Sequence, residues 1–205
     1  MTLAALVLAA GRGERLRPLT DTIPKPLLTV GDTTLLDAAL VRVGTVVAVS
    51  QRDVAVNASW LADQIAAHVG GRVHVSLEQP VALGTAGAVG AIRPWLGDRD
   101  LLVANGDVYW HGNADLCGFV AGWDRVCPRL AVVADAARPD FEGRWRFAGV
   151  SLLPNAVARI LEPVPSGLYE RVWRDADLDL VPVAVEFIDC GTPADLERAR
   201  RLAEA

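Results

Sequence analysis

Gly11 and Gly13 follow directly on an apolar run, with Arg15 two residues further on. Glycines in such a place let backbone N–H groups approach a phosphate closely, and an arginine beside them offers a forked set of donors. Lys25 lies between Pro24 and Pro26. A residue before proline is held extended, so the stem of this point charge is expected to be stiff and to lose little on ordering. Of the 20 basic residues 19 are Arg, and Lys25 is the one Lys, which points to a constraint of size or geometry at that position. Two carboxylates complete the set: Asp107 ends the stretch Leu-Leu-Val-Ala-Asn-Gly-Asp, and Asp189 lies in Phe-Ile-Asp-Cys-Gly-Thr-Pro. Each is expected just beyond the carboxyl end of a strand, where open α/β sheets bind ligands. Two carboxylates plus substrate phosphates make the oxygen-rich shell that Mg2+ favours. Taken singly, each feature also has a plainer reading: a solvated charge cluster, an Asn-Gly turn, a helix-entry cap.

A frame must bring these groups together. Residues 3–10 are an apolar run that reads as the buried first strand of a parallel sheet; no basic residue precedes it, and it is short for a signal peptide. Residues 11–26 form a polar loop punctuated by Gly and Pro and carrying Arg12, Arg15, Arg17 and Lys25. So long a loop after a buried strand is usually functional. The pattern then predicts a helix over 35–43, two short strands or one interrupted strand over 46–50 and 54–57, and a helix over 58–69 with Leu61, Ile65 and Val69 on one face. It continues with a strand over 73–77, a helix over 85–95 and a strand over 101–104. Strands over 130–134, 147–153 and 181–188 follow. Thr192 is placed to cap the final helix, with Pro193 at its first position and Asp195 in its first turn. Alternating strands and helices predict a doubly wound α/β sheet in one domain over residues 1–205.

Composition narrows the function classes. The 205 residues are 52% hydrophobic and 22% charged, enough for a chain that buries roughly 70% of its unfolded surface. A net charge of -5 argues against a general nucleic-acid binder. No stretch approaches the ~20 apolar residues of a membrane span. Cys117, Cys127 and Cys190 form no zinc or C-x-x-C spacing and read as reduced thiols of a cytoplasmic protein. His68, His74 and His111 lack metal spacing.

The Gly11 segment opens like G-x-G-x-x-G, but Leu16 stands at the third glycine, so the dinucleotide fingerprint fails, and the P-loop pattern is absent as well. The run from Leu8 through Ala10, Gly11, Arg12, Gly13, Arg15 and Leu16 to Thr20, followed by Pro24-Lys-Pro-Leu-Leu28, instead resembles the signature of sugar-phosphate nucleotidyltransferases, the nucleotide-sugar pyrophosphorylases acting on N-acetylmuramate, mannose or glucose 1-phosphate. Molybdenum-cofactor cytidylyltransferases share the opening, but there the Lys follows the Arg much more closely. The resemblance implies a single-domain, Rossmann-like, doubly wound mixed sheet flanked by helices. It also implies condensation of an NTP with a sugar 1-phosphate to give an NDP-sugar and pyrophosphate, with Mg2+ as cofactor. NTP and sugar 1-phosphate are then the partners, with no nucleic acid or membrane; a homodimer is an open expectation, and no fused acyltransferase domain is expected after the final helix.

Site roles follow from the same resemblance. Arg15, Lys25 and Asp107 are the expected catalytic residues, and Asp107 and Asp189 the metal ligands. Leu8, Ala10, Gly11, Arg12, Gly13, Gln79, Gly84 and Thr85 are expected to hold the nucleotide, the last two within Leu-Gly-Thr-Ala-Gly. Gln79 stands where the family reads the base; a Gln amide can pair with N3–H and a carbonyl of uracil or thymine, which favours UTP or dTTP over GTP. A shift of one residue to Glu78 would reverse that reading. Lys25, Trp110, Ala148, Gly149 and Glu162 are expected to hold the sugar phosphate. Residues 134–149 are short for the family and lack the Glu-Lys pair of many relatives, leaving Arg144 or Arg146 to contact the phosphate. Two other readings are a nucleotidyl transfer to a non-sugar phosphate and a catalytically weak nucleotide-sugar-binding module.

Overall fold

The computed structural model describes residues 2–112 and 114–204. In chain order the strands are β1 (Leu3–Leu8), β2 (Thr29–Val30), β3 (Thr33–Thr34), β4 (Val54–Ala58), β5 (His74–Leu77) and β6 (Asp100–Asn105). β7 (Val108–His111), β8 (Arg129–Ala134), β9 (Trp145–Leu153), β10 (Asp179–Pro182) and β11 (Glu186–Asp189) follow. The helices are α1 (Leu35–Gly44), α2 (Ala62–Val69), α3 (Gly84–Ala91), α4 (Arg93–Leu96), α5 (Leu116–Ala121), α6 (Asn155–Ala158) and α7 (Pro193–Ala203).

Seven strands form one sheet in the order β10-β8-β9-β6-β1-β4-β5, with β9 antiparallel to both its neighbours and every other pair parallel. Helices cover both faces, as a parallel sheet requires. The alternation of β1 shows why: Ala5 and Val7 pack into a core with Leu36, Leu40 and Val43 of α1 and Ile65 and Val69 of α2. Ala4 and Leu6 face the opposite core, with Ala86 and Val89 of α3 and Leu96 of α4. After β5 the chain returns across the sheet to place β6 beside β1. The crevice beyond the carboxyl ends of β1, β4 and β6 is therefore the topological switch point, where such sheets bind ligands.

A third core lies apart from the sheet. Leu16, Leu28, Leu35, Ile188, Cys190, Leu196 and Ala199 cluster there, joining the loop after β1 to β11 and α7. The α7 cap is as expected, since Thr192 Oγ1 accepts from Asp195 N at 3.2 Å. This cluster turns a loop that is mostly exposed into one anchored by Leu16, which is fully buried.

Three expectations are corrected, and one strand was not foreseen. Residues 46–50 make no strand; the N–H groups of Val46 and Val47 donate back to Val43 O, so this segment turns off the end of α1. The helix expected from residue 58 starts at Ala62, because Ala58 still pairs with Leu77 in the sheet and Leu61 adopts a left-handed conformation. The segment 181–188 is two strands with different partners: β10 joins the edge of the main sheet beside β8, and β11 pairs antiparallel with β7. β7 was not expected, since its four residues become a strand only by pairing with β11.

Candidate active site

β1 ends at Leu8, and the turn beyond it is held from two sides. Ala9 N donates to Asn57 Oδ1 at 2.6 Å, at the end of β4. Gly13 then takes φ 63°, and a side chain there would press on Lys25 Cβ and Thr20 Cγ2 at 3.0 Å, so glycine alone fits. Thr20 Oγ1 donates to Gly13 O, and Trp60 donates its indole N–H to Thr20 O while Arg12 lies over its ring at 5.3 Å. Among the described residues no protein acceptor takes the N–H groups of Gly11, Arg12 and Gly13. The loop thus presents free donors on a braced frame.

Lys25 is not extended: it opens a short 3-10 turn, Lys25–Leu27, and the extended residue is Pro24. The stem is stiffened by burial instead, with 6% of the residue exposed. Its Nζ lies 2.7 Å from Asp107 Oδ2 and 3.6 Å from Asp189 Oδ1. The two acids meet because β7 and β11 are paired: Asp189 is opposite Val108, the residue after Asp107. Each carboxylate is about one-third exposed and keeps an oxygen not engaged by Lys25. Arg15 lies close by, since a side chain at Gly191 would collide with its guanidinium. Burial pushes the Cys190 thiol up to about 12, so it stays protonated and serves as core.

The cleft above the β1, β4 and β6 ends has a volume of about 210 Å³ and is lined by Leu8, Ala10, Gly11, Asn57, Gly84, Thr85, Asn105 and Asp107, among others. A second pocket of about 200 Å³ shares Leu8, Thr85 and Asn105 with it and continues between β9 and residues 167–173. Thr85 Oγ1 accepts from Leu168 N, joining the two. Glycines in α3 make this approach possible: a Cβ at Gly87 or Gly90 would lie 2.3 Å from the backbone of Val164 or Glu162.

The residues expected on the sugar side do not line one pocket. Gly149 lies against Asn105 and Val108, but on β9 the side chains lining the second pocket are Phe147 and Ser151, and Ala148 is fully buried in the core. Glu162 is exposed at the far end of α3, two turns from the pocket mouth; Tyr169 and Glu170 line the pocket from the same loop. Trp110 points away, donating its indole N–H to Ala148 O and lining a different pocket. Arg144 is exposed beside Glu142, whereas Arg146 reaches Asp189 Oδ2 at 3.8 Å and Asp135 Oδ2 at 3.5 Å.

Glu78 and Gln79 part clearly. Glu78 is 1% exposed and accepts from Leu83 N at 2.6 Å and from Asn57 Nδ2 at 2.8 Å, and burial holds its pKa above the usual carboxylate value. It is structural, whereas Gln79 is exposed on the adjoining loop. Gln79 is not among the residues lining the cleft. Asn57, Asn105 and Trp60 were missed from the sequence. The signal for both Asn residues was a polar side chain closing an apolar strand; Trp60 carried none.

Comparison with known proteins gives relatives of this chain and structures of the same fold. The chain is 41% identical over 110 residues to the N-acetylmuramate alpha-1-phosphate uridylyltransferase of Neisseria meningitidis serogroup B, covering 51% of this chain and 46% of that one. It is 36% identical over 146 residues to the same-named enzyme of Caulobacter vibrioides, covering 64% and 59%. The chain thus spans about half the length of the first relative. Among solved structures, a Bacillus anthracis protein assigned as a glucose-1-phosphate thymidylyltransferase, in complex with sucrose, shares the fold with a TM-score of 0.79 at 20% identity, covering 98% of this chain and 95% of that one. HddC from Yersinia pseudotuberculosis, complexed with GMP-PN, does so with a TM-score of 0.74 at 19% identity, covering 98% and 99%. The family model for nucleotidyl transferases matches residues 4–120, more than half of the chain, and the chain therefore belongs to the nucleotidyl transferase family.

Proposed function

We propose that the protein transfers a nucleotidyl group from an NTP to a sugar 1-phosphate, releasing pyrophosphate. The observation that carries this reading is Lys25 Nζ held between Asp107 and Asp189 beside a loop of free N–H donors. A sugar phosphate with a second pKa near ~6 is mostly dianionic at pH 7, so no general base is needed and positioning and charge neutralisation do the work. The amides of residues 11–13 and Arg15 hold the leaving β- and γ-phosphates. Lys25 draws the attacking phosphate in line with the α-phosphorus.

Asp107 and Asp189 suit a divalent cation by the chemistry of their donor set: two carboxylates brought together by the pairing of β7 with β11, each partly open to solvent. They would hold Mg2+, which when bound supplies charge neutralisation at the phosphates. Lys25 exchanges part of its contact with the acids for the substrate phosphate. Arg146, rather than Arg144, takes the role of second cation on the sugar phosphate, because it already lies against Asp189.

The second pocket is the acceptor's. Ser151 Oγ and Trp173 Nε1 are buried there without partners among the described residues, a cost that a polar ring bound in the pocket would relieve. The relatives' names make UTP and N-acetylmuramate 1-phosphate the first pair to try. The test is pyrophosphate release in Mg2+ with each NTP crossed against sugar 1-phosphates, with Asp107→Ala as blank. Turnover with one pair is expected. Nucleotide binding without turnover on any sugar phosphate would move the reading to a non-sugar acceptor or a binding module.

A further inference from the structure

A third pocket, of about 440 Å³, opens on the far side of β7 and shares no lining residue with either part of the cleft. Thr33, Val41, Arg42, Thr45, Trp110 and Leu116 surround it. The Arg42 guanidinium lies over the Trp110 ring at 4.5 Å, and its Nη1 is buried with no hydrogen-bond partner among the described residues. Burial lowers its pKa to about 10, which leaves it charged at neutral pH. Asp37, an acid on the same helix, is already engaged by His68 and Arg72. A buried donor left without an acceptor is costly, and a charged one more so.

We propose that this pocket binds a small organic anion, a carboxylate or a phosphate ester, whose oxygens pair with the Arg42 guanidinium while its apolar body packs between Val41 and Leu116. The chemistry is that of an arginine fork already seated over an indole: that contact restrains the guanidinium, so little is lost when a planar or tetrahedral oxyanion engages it. The indole N–H of Trp110 is committed to Ala148 O, so the ring is a fixed wall and Arg42 is the group that recognises charge.

Titration of 15N-tryptophan-labelled protein with phenyl phosphate, benzoate and neutral benzyl alcohol tests this. The Trp110 indole resonance is assigned with Trp110→Phe. The expected result is a saturable shift with at least one of the two anions and none with the alcohol, and the tighter anion identifies the preferred head group. The shift is lost in Arg42→Met and retained in Lys25→Ala, which weakens anion binding only in the cleft. Ala38→Glu gives a second route should Arg42→Met fold poorly. Ala38 lines the same pocket four residues before Arg42, so the new carboxylate occupies the guanidinium and abolishes the shift, while Ala38→Gln does not. The proposal is overturned by the absence of a saturable shift with either anion up to about 20 mM, well above the ~1 mM of a weak contact. It is overturned equally by a shift that persists in Ala38→Glu or Arg42→Met, or that disappears in Lys25→Ala.

Discussion

Lys25 meets two carboxylates at one point, and this is where a single substitution should tell most. Because Asp107 and Asp189 are each about one-third exposed, water can solvate them when the ammonium is removed, and the fold should survive. Loss of one preorganised electrostatic contact typically costs about 10^2–10^3-fold in rate. Lys25→Ala is therefore expected to lower kcat by that order while its circular dichroism stays native; a near-normal kcat would remove Lys25 from the mechanism. Arg146 is different in kind, since it stands beside the acids without being enclosed by them. Arg146→Ala is expected to raise KM for the sugar phosphate about tenfold, the effect of one lost charge-assisted contact, with KM for the NTP little changed. Equal effects on both substrates would assign Arg146 to general charge balance instead.

Short elements do the positioning. The ribbon of β7 and β11 is four residues long on each side, yet its register brings Asp107 and Asp189 together. Helix α3 works through what it lacks: without side chains at 87 and 90 it lies flush on residues 162–164, and its N-terminal end can then share Thr85 with Leu168. A β-branched side chain at 87 cannot fit where the Val164 carbonyl would lie 2.3 Å from its Cβ. Gly87→Val is expected to destabilise the protein by about 1–3 kcal/mol, as overpacking does. The same displacement should weaken nucleotide binding, because Gly84 and Thr85 line the cleft. Urea unfolding and nucleotide titration of one preparation check both, and a variant as stable as the wild type would mean that the 162–166 segment gives way freely.

For the molecule as a whole, the Glu78–Asn57–Ala9 chain of hydrogen bonds links β1, β4 and the loop before α3 at the floor of the cleft. Its linchpin is a carboxylate whose pKa is raised, burial outweighing the bonds from Leu83 and Asn57. A raised folded-state pKa means that the contribution to stability is fully present below the ordinary value of 4.5 and is lost as pH rises through the raised one. Relative to Glu78→Gln, the wild type should therefore gain stability as pH falls from 7 towards 5. Paired urea unfolding curves at the two pH values measure this. A difference that does not change with pH would mean that the two hydrogen bonds compensate burial completely. No helix among the described residues is long and apolar enough to cross a membrane.

The glycine turn after the first strand, the strand itself, Thr192 as cap and the family resemblance were all legible along the chain, because each is a matter of a few adjacent residues: a glycine pair after an apolar run, a hydroxyl before Pro193, a lysine between prolines. The pattern of apolar residues also placed most strands of the main sheet, since burial on both faces leaves an unbroken run. What was not legible depended on partners distant in sequence. Residues 181–188 read as one strand because nothing local records that the first half pairs with β8 and the second with β7. Trp110 was drawn to the acceptor by its nearness to Asp107, but along β7 its side chain falls on the face towards α1 and Arg42. Ala148 and Glu162 lie off the second pocket for the same reason: β9 turns Phe147 and Ser151, not Ala148, to it, and the packing of α3 carries Glu162 two turns below. Residue types and spacing determine which chemistry is available, whereas the facing of a side chain is set by strand pairing and helix docking, which only the assembled sheet specifies.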